Sequence, residues 1–288
     1  MSSPALPCNY GDIDWNDVWK AKQDRYDDSR IPGDSSHDWN KKENAERYAS
    51  QSEGEFEKRI RLTLGGLSVD RSTRILDIGS GPGTLAIPLA PLVREITAVE
   101  PGEGMLSALE QRAKKAGIQN IRCVHKMWED VDPGKELDGP YDLVIASLSL
   151  TMRDIRKALL KMDAVSSGDV CLYWFVDPPF WEQMYADLSL PLHGKAYCAG
   201  PKADCLWNVL FQAGIFANIE MLPLDKEYRF PSRYEMTEFF GKRFDVKTKK
   251  QERILDKYLS PLIKDDSNGV VISGESTFAK IWWRKSVQ

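Results

Sequence analysis

Asp77, Gly79, Gly81 and Gly83 stand on alternate positions straight after the apolar run Arg74-Ile75-Leu76. Glycine lacks a Cβ and tolerates positive φ, so such a turn lets the backbone pass close beneath a ligand. A strand running through a glycine turn into a helix is how an α/β sheet binds an adenosine-containing cofactor at the carboxyl ends of its strands. A second acid, Glu100, ends another apolar run, 95–100, about 20 residues on, the spacing of an acid whose carboxylate accepts both hydroxyls of a ribose. Two cofactors compete for this pattern. The dinucleotide fingerprint G-x-G-x-x-G accommodates Gly79 and Gly81 but meets Thr84 at its third glycine. The spacing present, D-x-G-x-G-x-G, suits a cofactor that has no phosphate and carries positive charge, because a carboxylate at the turn makes a charge-assisted hydrogen bond, direct or through water.

Groups able to move a proton are few. The chain has three histidines. His125 falls in or beside a strand, which gives it a structural role, and His37 lies in a polar run. His193 is the first candidate for a catalytic base, with Asp177 and Tyr197 next; any of the three could instead orient the acceptor.

The elements that position these residues follow from periodicity. Strands are expected at 74–78, 95–100, 121–125, 141–147, 170–176, 219–224 and 276–283. Helices are expected at 85–93, 102–116, 152–164, 207–213, 234–244 and 249–263, with Met105, Leu106, Leu109 and Ala113 on one side of the second. Gly214 closes the helix before it as a left-handed cap, and Pro101 stops the second strand. Upstream, Asp14 caps a short helix, 31–36 reads as a loop, and 44–64 reads as a helix with Phe56, Ile60 and Leu64 four apart. Asp177-Pro178-Pro179-Phe180 reads as a strand terminator rather than as a motif of DNA amino-methylation, because the position beside the methyl group, after the fourth strand, holds Ala146-Ser147-Leu148-Ser149.

The glycine turn, the Glu-Pro-Gly-Glu-Gly-Met-Leu string at 100–106 and the Tyr-Asp-Leu-Val string at 141–144 together resemble the class I S-adenosylmethionine-dependent methyltransferases, over about residues 60–176. The resemblance implies a Rossmann-like seven-stranded sheet with its last strand antiparallel, flanked by helices, and S-adenosylmethionine as cofactor. It places Asp77, Gly79, Ser80, Gly81, Gly83, Glu100, Pro101, Met105 and Ser147 around that cofactor. It gives Met127 and Trp128 to the adenine wall and Glu129 or Asp130 to the adenine amino group. It implies an N-terminal helical arm or lid, 1–60, whose Trp39, Tyr48 and Trp15 cover the methionine portion. The methyltransferase domain is then 61–288, with a cap insertion at about 178–206 and a helical insertion at about 232–263. Trp15, Trp181 and Cys198 are the residues assigned to the substrate.

The chain has 288 residues, 42% of them hydrophobic and 28% charged, with a net charge of −4. That is the composition of a soluble globular protein with one substantial core, and it implies no broad basic face, so a nucleic-acid acceptor is disfavoured. No run reaches the length of a membrane span, and the N-terminus shows no signal segment. Five cysteines, an odd number, read as reduced thiols in the cytoplasm. No C-x-x-C pair occurs and no metal site is expected. The functional reading is transfer of a methyl group by in-line displacement to a small or medium-sized acceptor at O, N, S or C. The alternatives are a protein-modifying methyltransferase that docks its partner through the cap, a thiolate-bound metalloid methyltransferase using Cys198, Cys205 and Cys8, and RNA methylation.

Overall fold

The computed structural model describes residues 13–31, 38–46, 48 and 57–285. His37, Cys8, Phe56 and the middle of the expected 44–64 helix lie outside the described residues. In chain order the elements are α1 (Trp15–Ser29), α2 (Glu57–Gly65), β1 (Arg74–Ile78), α3 (Ala86–Leu89), β2 (Glu95–Val99), α4 (Glu103–Lys115), β3 (Ile121–Val124), α5 (Pro133–Glu136), β4 (Tyr141–Ser147), α6 (Ile155–Val165), β5 (Ser166–Phe175), α7 (Phe180–His193), α8 (Ala203–Gln212), β6 (Asn218–Pro223), β7 (Lys226–Phe230), α9 (Arg233–Arg243), α10 (Lys249–Leu259), β8 (Ile263–Asp266), β9 (Gly269–Gly274) and β10 (Thr277–Arg284).

Seven strands form one sheet in the order β3-β2-β1-β4-β5-β10-β6. The strands up to β5 run parallel, and β10 is antiparallel to both β5 and β6. The central strands are near-continuous apolar runs because both faces are covered. One face carries Leu76, Val144, Leu172 and Ile281 under α1, α6 and α8, and the other carries Ile75, Ile145, Tyr173 and Phe278 under α2 and α3. The order reverses between β1 and β4, so the crevice beyond their carboxyl ends is the natural ligand site.

Three differences from the sequence reading have physical reasons. The stretch 178–206 begins as a full helix, α7, with Phe180, Met184, Tyr185, Leu188 and Leu192 buried along one side; the prolines at 178, 179 and 191 obscure its period, yet Pro179 is only its N-cap. The polar run after Trp19 continues α1 to Ser29, since only Asn16, Trp19 and Ser29 on that helix need burial. The helices near 232–263 are flanked by strands that the sequence reading did not expect. Strands β7, β9 and β8 make a second, three-stranded sheet, and α7, α9 and α10 pack on it through Tyr185, Phe240, Phe244, Leu255 and Ile272. These strands are four to six residues long, which leaves little pattern to read.

Candidate active site

The turn after β1 is built on its glycines. Gly79, Gly81 and Gly83 have φ of 68°, 56° and 78°, a region that L side chains rarely adopt. Gly79 and Ser80 both donate to Val99 O, at 2.8 and 3.2 Å, which ties the turn to the end of β2. A Cβ on Gly79 would overlap Ser149, whose hydroxyl donates to Ile78 O at 2.6 Å. A Cβ on Gly81 would meet nothing within 4 Å. The turn is therefore packed beneath and open above.

Two carboxylates sit under that opening. Asp77 is 3% exposed and one of its oxygens, Oδ2, has no hydrogen-bond partner. Burial first, and then the neighbouring Glu100, push its carboxyl up to about 7. Glu100 is 5% exposed and accepts from Gly81 N and Gly102 N, each at 2.8 Å. Burial raises its pKa, and those two amides oppose the rise. Two partly charged acids with an unmet oxygen, beside a buried and unpartnered Ser80 hydroxyl, form a cradle suited to a cation and to hydroxyl donors.

The arm closes one side. Trp39 and Tyr48 meet edge to face at 5.6 Å and pack with Ala45, Met105 and Ala108. A Cβ on Gly102 would lie 2.9 Å from Trp39 Cβ and 3.0 Å from Glu100 Oε1, and one on Gly104 would lie 2.9 Å from Trp39 O. Asn40 accepts from Glu103 N at 3.2 Å. Pro101 accepts from the His125 ring at 3.0 Å, which gives that histidine a structural partner.

The loop after β3 divides its residues. Met127 is exposed, whereas Trp128 is turned into the core, with Nε1 donating to Ala158 O at 3.2 Å and the Lys161 ammonium 4.7 Å above its ring. Trp128 therefore does not join Met127 in a wall facing the site. Glu129 is exposed, and Lys161 holds its carbonyl at 3.0 Å.

Beyond β5 the structure gathers some of the expected acceptor residues and disperses others. Trp181 meets Phe175 edge to face at 5.5 Å. The buried Lys202 and Glu182 pair at 2.5 Å, Tyr197 OH donates to the other Glu182 oxygen at 3.0 Å, and Lys202 Nζ lies 5.6 Å from the centre of the Phe175 ring. Burial and Glu182 push the Tyr197 phenol far above its usual range, so it is a donor and not a base. Burial lowers the Lys202 pKa against the pull of Glu182. One Asp177 oxygen accepts from Thr277 N at 2.8 Å and fixes the start of β10.

His193 is not part of this group. It closes α7 and bonds Phe244 O at 2.8 Å, about 20 Å along the helix axis from its first turn. Trp15 lies between α1 and α8, its amide donating to Gln212 at 3.0 Å. Cys198 is exposed, its amide bonded to Ser29 at 3.0 Å. Cys205 points at Trp15 O. Among the described residues no group of three or more His, Cys, Asp or Glu could hold a metal ion; Cys8, the third thiol of the metalloid reading, lies outside them. A shallow cavity of about 340 Å³, lined by Leu109, Glu110, Lys114 and Cys123 among others, opens at the β3 edge of the sheet.

Sequence reasoning missed Arg59, Ser149, Glu182 and Lys202. Ser149 was legible as a loop residue after β4. Nothing in the local sequence distinguishes the other three from surface charges.

A parallel sheet of this order with one antiparallel strand, a glycine turn after β1 and acids at the ends of β1 and β2 make up the fold of the class I methyltransferases. Residues 75–167 match the profile of a methyltransferase domain. The matched segment is a methyltransferase domain, and S-adenosylmethionine is the cofactor that it uses. It is 27% identical over 251 residues to an uncharacterized protein of Haemophilus influenzae, covering 85% of this chain and 88% of that one. It is 28% identical over 114 residues to ribosomal RNA small subunit methyltransferase G of Streptococcus equi subsp. zooepidemicus, covering 38% of this chain, and it spans about half, 48%, of that relative's length. The crystal structure of the YcgJ protein from Bacillus subtilis shares the fold, with a TM-score of 0.55 at 18% identity over 80% of this chain and 99% of that one. Among the described residues no helix is long and apolar enough to cross a membrane.

Proposed function

We propose that the enzyme methylates a small or medium-sized molecule bound beyond β4 and β5. The observation that carries this reading is the combination of rings and one buried ion pair there. Phe175 and Trp181, with Trp174 5.1 Å from Phe175, surround Lys202 and Glu182, which are 8% and 7% exposed. Apolar walls with a few fixed polar groups are the make-up of small-molecule sites. The arm, 1–60, is the lid of this site, and the α7 and α9–α10 segments are its cap.

S-adenosylmethionine, when bound, supplies an electrophilic methyl on a sulfonium. The chain has little covalent chemistry to add, and its task is alignment and exclusion of water. Asp77 receives the ammonium and Glu100 the ribose hydroxyls. Gly81 leaves room for the ligand, and Trp39, Tyr48 and Met105 shut out solvent. Lys202, Glu182 and Asp177 orient the acceptor.

A second reading, a protein acceptor, is favoured by one feature. Phe211 and Phe216, 53% and 74% exposed, meet edge to face at 5.4 Å beside Trp207 and next to the exposed Met221 on β6. This patch lies at the sheet edge, not on the cap. Incubation with methyl-labelled cofactor and cell extract separates the two. Label in the low-molecular-weight fraction supports the first reading, and label in protease-sensitive material replaces it with the second. Nuclease-sensitive label replaces both with an RNA acceptor.

A further inference from the structure

The seven-stranded sheet finishes its two edges differently. At the β3 edge Arg122 donates to Glu136 O at 3.0 Å and pairs with Asp138 at 3.1 Å, so charge and the α5 segment guard the strand. β6 closes the other edge, and among the described residues no strand lies beyond it. An unpaired edge offers its amides and carbonyls to any other strand, and it is usually blunted by charge, a bulge or a cover. The register of β6 with β10 is unbroken, and its single charge, Glu220, lies opposite Lys280.

The direction of the β6 backbone is fixed at its far end. Leu224 N donates to Ser276 O at 2.8 Å, and Ser276 Oγ donates to Leu224 O at 2.7 Å. Leu224 therefore turns both backbone groups toward the β10 side. Alternate residues of an antiparallel ladder turn the same way. Leu222, Glu220 and Asn218 face β10, and Pro223, Met221 and Ile219 face outward. Pro223, which has no N–H to give, stands where β10 needs none. On the sheet face shared with Ala279 and Ile281 this edge is apolar. Ile219 and Met221 are 42% and 55% exposed. α8 packs on that face through Leu206, Val209 and Leu210, and its Phe211, with Phe216 in the turn that follows, adds two exposed rings. These four side chains leave roughly 400 Å² of apolar surface uncovered.

We propose that β6 pairs antiparallel with β6 of a second copy of this chain, joining the two sheets across a two-fold axis at Ile219. Residues directly opposite in such a pair share a face, so the strand can be centred on residue 219, 220 or 221. Centred on Glu220, it sets like charges against each other. Centred on Met221, it sets Ile219 against Pro223, which cannot return a hydrogen bond. Centred on Ile219, it exchanges N–H and C=O at Ile219 itself and between Ala217 and Met221, and it puts Asn218 opposite Glu220. Asn218 Nδ2 donates to Trp282 O at 3.3 Å, and an amide has a second hydrogen for that carboxylate. The edge is thus its own complement, as a two-fold interface requires. Three strand spacings, about 14 Å, then separate the two copies of β10. That exceeds the roughly 8–10 Å of direct helix packing, and Phe211 and Phe216 fill the difference between the two copies of α8, which packs on β10. The patch counted twice, with the strand edges added, reaches the roughly 1,200 Å² at which specific interfaces begin. The occupant is a second copy and not a protein acceptor, and the proposal is independent of which molecule is methylated.

Sedimentation velocity and cross-linking test it. Wild-type protein is expected to sediment at twice the chain mass of 32.7 kDa. Ile219→Pro removes the central donor from the free edge and spares the β10 ladder, and Met221→Lys puts a charge in the patch. Each is expected to weaken dimerisation by about 30-fold or more, with an unchanged circular dichroism spectrum showing that the fold is kept. Ile219→Cys is expected to give a disulfide-linked dimer on mild oxidation, above the background of the native thiols, because a hydrogen-bonded antiparallel pair holds its Cα atoms about 5.5 Å apart, within disulfide reach. Glu220→Cys, which faces Asn218, is expected to stay at background. Wild-type protein that remains monomeric at about 100 µM, a concentration at which even a weak specific interface is populated, overturns the proposal. If Met221→Lys then also abolishes protein labelling in extract, the patch passes to a protein acceptor. A dimer that neither Ile219→Pro nor Met221→Lys weakens overturns it too, by placing the interface elsewhere. Cross-linking through Glu220→Cys in preference to Ile219→Cys overturns the two-fold at Ile219.

Discussion

Replacing Asp77 with asparagine should make the unliganded protein more stable and the cofactor complex weaker. The unfolded carboxyl titrates near 3.8 and the folded one near 7. Between those values the folded protein holds a proton that the unfolded chain has lost, so stability is greatest below about pH 4, falls as pH rises to 7 and is flat beyond. At about 1.4 kcal/mol per pH unit between the two values, the ionised carboxylate costs the unliganded fold at most about 4 kcal/mol. Relaxation and water access reduce that ceiling, and about 2 kcal/mol is a reasonable expectation. The Asp77→Asn protein should therefore melt about 5 °C above wild type at pH 8.5, with the gap closing toward pH 4. The same substitution removes the anion that meets the ammonium, so S-adenosylhomocysteine affinity should fall by about 10- to 100-fold at pH 8.5. Wild-type affinity itself should rise with pH through 7, as Asp77 gives up its proton. Thermal unfolding at pH 5 and 8.5, with and without ligand, reads all of these. A variant that melts at or below wild type at pH 8.5, or whose advantage is the same at both pH values, would refute the reasoning.

Further outcomes follow from the same geometry. Gly79→Ala should destabilise strongly, through overlap with Ser149 and a positive φ, whereas Gly81→Ala should cost only about 1 kcal/mol and yet lose S-adenosylhomocysteine tenfold or more; equal melting temperatures for the two would contradict the packed-beneath, open-above turn. His193→Ala should leave methyl transfer and cofactor affinity unchanged and lower the melting temperature slightly, through the lost bond to Phe244; a loss of turnover would return His193 to the catalytic group. Lys202→Met should destabilise by about 3–5 kcal/mol, because it strands the buried Glu182 charge, and Lys202→Met with Glu182→Gln should recover much of that; a double variant no better than the single one, in denaturant titration, would show that the pair is not coupled.

The glycine turn and the acids at the ends of β1 and β2 were legible, because each is written in a contiguous stretch, whereas the seven-stranded sheet was implied only by the resemblance those stretches carry. Ile75, Leu76 and Ile78 make β1 readable as a strand, and Gly79 to Gly83 make its turn readable. The loop after β3 was half legible: sequence places Met127 and Trp128 together, but only the packing of α6 decides that Trp128 turns inward. His193 and Trp181 both lie on α7, and the sequence cannot show that a full helix separates them until α7 is recognised as one. The burial of Arg59 was invisible, since it comes from α2 lying against Ser147 of β4 and Tyr173 of β5, a tertiary relation with no local trace. The second sheet was hidden for a related reason, because β7 pairs with β9, some 40 residues further along the chain.

Gly102 and Gly104 have a use that is not their own. Neither has the positive φ that would oblige a glycine; what crowds out a side chain is Trp39 together with the Glu100 carboxylate at Gly102, and the backbone of Trp39 to Lys41 at Gly104. The start of α4 therefore records the arm's footprint, and the two positions are constrained by a segment some 60 residues upstream. In a related chain without the arm, alanine or serine at either position would meet no obstacle and would favour the helix. The two glycines thus mark on α4 where the arm comes to rest.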